Sequence, residues 1–62
     1  MVSTADVLEA LKGIDFPKSK ADVISYARSK NASRDVLDLL NRIPDQQFQN
    51  AGDILEAVGK VD

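Results

Sequence analysis

The stretch Ser33-Arg34-Asp35-Val36-Leu37-Asp38-Leu39-Leu40-Asn41-Arg42-Ile43-Pro44 is punctuated like a helix at both ends. Ser33 has the side chain of an N-cap, an oxygen able to accept from an orphan backbone N–H one turn on. Asp35 puts a negative charge at the positive end of the helix dipole. Pro44 cannot continue the helix and disfavours helical geometry at Ile43. Between these signals the apolar positions 36, 37, 39, 40 and 43 cover more than half of the cylinder. The spacing predicts a helix over 34–42 that is central and covered from several sides.

Working outward, the Asp followed by two branched aliphatics recurs in four places: Asp6-Val7-Leu8, Asp22-Val23-Ile24, Asp35-Val36-Leu37 and Asp53-Ile54-Leu55. In three of them a capping residue stands three positions earlier, at Ser3, Ser19 and Asn50. There the Asp can also bond back, in a shortened form of the capping box. Four helices are expected. The first runs over 4–12, is stopped by Gly13 and buries Val7, Leu8, Leu11 and Ile14. The second runs over 20–30 with Val23, Ile24 and Ala27 inward, and Asn31 is a suitable left-handed terminator. The fourth runs over 51–58 with Ile54, Leu55 and Val58 inward and Gly59 closing it. Phe16-Pro17 forms a turn into Ser19, and Phe48 enters the core from an otherwise polar loop. The short connections favour steeply angled neighbours over a long coiled coil. The expectation is one domain over 1–62, all-α, a compact orthogonal bundle of four short helices.

A faint echo relates residues 4–15 to 51–62, with identities at Asp6/Asp53, Leu8/Leu55, Glu9/Glu56, Ala10/Ala57 and Asp15/Asp62. Shared helix-start chemistry is the favoured source and true duplication the alternative, and the echo suggests similar jobs for the first and last helices.

With 62 residues the chain lies near the lower size limit for a self-supporting core, although 44% of its residues are hydrophobic. Aromatics are 5%, so the core is aliphatic. Cys, His and Trp are absent, which removes disulfides, thiol nucleophiles, imidazole bases and the metal schemes built on those ligands. No apolar run approaches membrane-spanning length and no signal-peptide pattern opens the sequence, so a soluble cytoplasmic protein is expected. The carboxylates have structural uses: Asp6, Asp22, Asp35 and Asp53 at helix starts, Asp38 within reach of Arg34 and Arg42, and Glu56 within reach of Lys60. The serines are caps without an activating base. No catalytic residue, cofactor or metal ligand emerges, and a non-enzyme is expected.

Charge is distributed unevenly. Residues 18–34 carry five cations, Lys18, Lys20, Arg28, Lys30 and Arg34, against Asp22 alone, while the remainder carries three cations and nine carboxylates. Arg28 and Lys30 suit the negative end of the second helix; Lys18 and Lys20 sit at its positive end, where the dipole gives no reason for them. Tyr26 is of the kind that anchors interfaces. Lys18, Lys20, Tyr26, Lys30 and Arg34 are therefore the candidate partner-binding residues. The second and third helices also have the dimensions of a helix-turn-helix, but Asp35 and Asp38 would face the groove of DNA, and the net charge is −2.

The motifs Leu11-Lys12-Gly13-Ile14-Asp15-Phe16-Pro17, Ser19-Lys20, Tyr26-Ala27, Val36-Leu37, Leu40, Ile43-Pro44-Asp45, Phe48 and Asp53-Ile54 with Ala57 together resemble the family catalogued as domain of unknown function 2795. The resemblance runs from about Leu11 to Val58 and implies a compact helical domain in which the Phe-Pro and Pro-Asp turns define the fold. It implies no activity. The functional expectation is a small adaptor or regulatory domain that binds a partner protein, as a monomer in preference to a homo-oligomer. The alternative is an accessory nucleic-acid-binding module using segment 18–34.

Overall fold

The structure, a computed structural model, describes residues 4–61. Four helices are joined by a minimal antiparallel ladder in the order α1 (Thr4–Ala10), β1 (Lys18–Ser19), α2 (Lys20–Ser29), α3 (Arg34–Arg42), β2 (Gln47–Phe48) and α4 (Ala51–Val61). The all-α bundle is as expected, and the ladder is a small addition to it.

The helix ends follow the local chemistry of the sequence. The Ser19 hydroxyl accepts from the Asp22 N–H at 3.2 Å, and Ser33 accepts from Val36 at the same distance. At α4 the exchange is reciprocal: Asn50 Oδ1 accepts from the Asp53 N–H, and Asp53 Oδ2 accepts from the Gln49 N–H, both at 2.9 Å. Helix α2 closes in a Schellman motif, with Ala32 N–H donating to Ala27 O, Asn31 N–H donating to Arg28 O, and Asn31 at φ 60. Gly13 takes φ 85 at the end of α1, a conformation that suits glycine. Ile43, before Pro44, is extended. The proposed cap Ser3 lies outside the described residues.

Several expectations need correction. Regular helix α1 stops at Ala10, and residues 11–13 continue as tighter turns in which Lys12 N–H donates to Glu9 O and Ile14 N–H donates to Leu11 O. Its buried face is Val7, Ala10 and Leu11; Leu8 is 44% exposed and Ile14 is half-buried. The stripe is rotated by about one residue from the expected one. Helix α2 ends one residue early, with Lys30 as its C-cap. Helix α4 runs through Gly59 to Val61, because half-buried Val61 is brought against the core by continuing the helix. The penalty for one helical glycine is smaller than that gain. Asp38 forms no ion pair with Arg34 or Arg42, while Lys60 and Glu56 approach to 3.5 Å on an exposed face.

The core is aliphatic apart from Phe48, the largest side chain fully buried in it, which packs with Val7, Val23, Leu40, Ile43, Ile54 and Val58. Phe16 only rests on its edge. Two pairings, Lys18 with Phe48 and Ser19 with Gln47, fix the backbone that delivers Phe48.

Two glycine substitutions should move stability in opposite directions. A Cβ at Gly59 meets nothing within 4 Å, so Gly59→Ala should stabilise by about 0.5–1 kcal/mol. A Cβ at Gly13 meets the Tyr26 hydroxyl at 3.0 Å at a left-handed φ, so Gly13→Ala should destabilise by about 1–2 kcal/mol. Urea denaturation midpoints check both.

Candidate functional site

Helix α2 carries four of the five candidate residues on or beside it, and their positions follow from its two ends. Lys18 lies in β1 opposite Phe48 and is half-buried. Lys20 opens α2, and its ammonium donates to the carbonyl of Asn41 in the last turn of α3 at 2.7 Å. Helix carbonyls in a last turn lack intrahelical donors, and a lysine there satisfies both the orphan group and the dipole. This gives Lys20 the structural reason that its position on its own helix does not.

The other group sits at the far end of α2, about 15 Å away at 1.5 Å rise per residue over its ten residues. The Lys30 ammonium stands 5.5 Å from the centroid of the Tyr26 ring, in the range of a cation–π contact. The Tyr26 hydroxyl donates to the carbonyl of Lys12, in the turn that ends α1. Its ring lies half-buried against the core. Tyr26 is thus a clamp between α2 and the end of α1, not a rim residue with its hydroxyl in water. Arg34 is exposed at the first position of α3. The five candidates therefore form two groups: Lys18 with Lys20 at the start of α2, and Tyr26 with Lys30 at its end, followed across the turn by Arg34.

Beside the second group lies an open groove of about 430 Å³ between α1 and the α2–α3 turn. Asp6, Glu9 and Lys12 come from α1 and its terminal turn; Lys30, Asn31 and Ser33 come from the opposite side. Ala10 and Val36 supply apolar surface between them. Asp6, Glu9 and Lys12 were not singled out from the sequence. Their spacing of three residues puts them along one side of a helix, a signal that was present, but the approach of that side to the α2–α3 turn is not written in any spacing.

The lining is a mixture of carboxylates, ammonium groups and small polar side chains. It can make charge-assisted hydrogen bonds of both senses with a complementary surface. Among the described residues no group of three or more carboxylates gathers as a metal site, and no helix is long and apolar enough to cross a membrane.

Tyr26→Phe should lower stability by about 1 kcal/mol through loss of the bond to the Lys12 carbonyl, with the ring packing retained. Chemical denaturation measures the loss, and an unchanged midpoint would remove the clamp from the account.

A family model with the description "Protein of unknown function (DUF2795)" matches residues 2–55. No curated protein and no solved structure matches the chain.

Proposed function

The chain belongs to the DUF2795 family of proteins of unknown function, and from that footing we propose that it is a small non-enzymatic adaptor or regulatory domain that binds a partner protein. The observation that supports this reading is the mixed-charge groove between α1 and the α2–α3 turn, with Lys30 both in its lining and stacked on Tyr26. A protein surface bearing both signs of charge is complementary to such a lining. A phosphate backbone is less so, because Asp6 and Glu9 would repel it beside Lys12 and Lys30. The proposed contact residues are Tyr26, Lys30 and Arg34, joined by Glu9 and Lys12 from the facing wall. Lys18 and Lys20 lie outside this contact. The domain acts in the cytoplasm as a monomer under this reading.

Nucleic-acid binding through segment 18–34 is the competing reading, and one experiment separates the two. Tagged protein is used for affinity capture from a lysate of its host, with and without nuclease, alongside Lys30→Glu and Lys18→Glu variants. The expected result is a protein retained in both halves, with retention lowered at least about tenfold by Lys30→Glu, or about 1.4 kcal/mol, and unchanged by Lys18→Glu. Recovery that disappears with nuclease and falls steeply with salt would replace the adaptor reading by the nucleic-acid one.

A further inference from the structure

We infer that the chain is a tandem duplication of one α–β–α unit, the two copies being related by a pseudo-twofold axis through the β1–β2 ladder. The element order repeats: α1, β1 and α2 are followed by α3, β2 and α4. A displacement of 29 residues carries Asp6-Val7-Leu8 onto Asp35-Val36-Leu37, Leu11 onto Leu40 and Ile14 onto Ile43, all identical, with Glu9 on Asp38. One extra residue, Gln46, then brings the displacement to 30 and carries Lys18 of β1 onto Phe48 of β2. A second extra residue, Gln49, brings the displacement to 31 and carries cap Ser19 onto cap Asn50, Asp22 onto Asp53, Val23 onto Ile54 and Ala27 onto Val58.

Burial repeats with the sequence. Val7 and Val36, Ala10 and Leu39, Leu11 and Leu40, Val23 and Ile54, and Ala27 and Val58 are all core positions. Ile24 and Leu55 are both half-buried. In each unit the N-cap side chain accepts from the Asp three residues later.

The ladder supplies an independent geometrical test. It pairs Lys18 with Phe48 and Ser19 with Gln47. Exchanging the two units returns the Lys18–Phe48 pair to itself, which is what antiparallel strands astride a twofold axis must do. The packing of α2 on α3 is likewise exchanged with that of α1 on α4, and both are present. The echo between residues 4–15 and 51–62 pairs the first helix of one unit with the second helix of the other, and it carries only what all four helix starts share.

The α2–α3 turn, Lys30 to Ser33, is then the seam between copies. It has four residues. A solution structure by NMR is the direct test. Residues 5–30 should superpose on 34–61, with Gln46 and Gln49 omitted, after a rotation close to a half-turn. Superposition by any other rotation, or none, overturns the inference. A circular permutant with Asp62 joined to Met1 and the chain opened between Ala32 and Ser33 gives a second reading. It should keep the parent's helical circular dichroism and one cooperative transition, with the midpoint lowered by no more than about 10 °C. A permutant opened inside a unit, between Asp45 and Gln46, should be the less stable of the two; the reverse order would also overturn the inference.

Discussion

Phe48 is buried in a segment that is not helical, and that single circumstance constrains the rest of the fold. A helix satisfies its own backbone, but an extended residue whose side chain fills the core needs partners for its N–H and C=O groups. The ladder with β1, in which Phe48 stands opposite Lys18, supplies partners for this segment of backbone. The ladder is too short to contribute much energy on its own. Its effect is to fix where two chain segments lie and therefore where the helices that follow begin: α2 starts directly after Ser19, and α4 starts three residues after Phe48. The largest core side chain and the smallest secondary structure each require the other.

Helix ends were the most legible part of the sequence because they depend on neighbours a few residues away. Ser19, Ser33 and Asn50 cap as their side chains require, and Gly13 and Asn31 occupy positive φ. Facing was less legible. In α1 the positions 7, 8, 11 and 14 make as regular a stripe as 7, 10 and 11, and only the packing of α3 and α4 against the helix selects the second. Burial of the two phenylalanines was equally undetermined locally. Both lie in short segments before a helix, yet Phe48 fills the centre and Phe16 an edge. A strand of two residues shows no alternation, so nothing marked β1 or β2. Gly59 resembles a stop until the packing of Val61 against the core is known.

The candidate site divides along the same line. Composition pointed to Lys18, Lys20, Tyr26, Lys30 and Arg34, but two of these have their polar atoms engaged within the fold. Tyr26 and Lys20 reach from α2 to Lys12 and Asn41, which are equivalent positions in the two units. A last-turn carbonyl in each first helix is thus satisfied from the same helix by different chemistry. Partners 14 and 21 residues away in sequence leave no local signature. The consequence is practical: replacing Lys20 removes a tie between α2 and α3 as well as a charge, so a binding defect there has two causes. Lys30, whose one recorded side-chain contact is the face of Tyr26, is the cleaner probe.

Comparing the two units separates what the fold demands from what it merely permits. Carboxylates coincide at Asp6 and Asp35, Glu9 and Asp38, and Asp22 and Asp53. Of these, Asp6, Asp35, Asp22 and Asp53 stand in first turns, where the helix dipole favours a negative charge. Cations coincide nowhere: Lys12, Lys20, Arg28 and Lys30 face Asn41, Ala51, Gly59 and Val61 at the equivalent positions. A unit that folds with an amide, a small side chain or a valine at those places does not need a cation there. Lys20 bonds to Asn41, and Lys30 caps α2 and rests on the Tyr26 ring, while Lys12 and Arg28 stay exposed. Lys12 and Lys30 belong to this diverged set and line the same groove, on opposite sides of it. The α–β–α unit accounts for the packing, the ladder and the helix starts, and Lys12 and Lys30 mark where its first copy departs from the second at the groove.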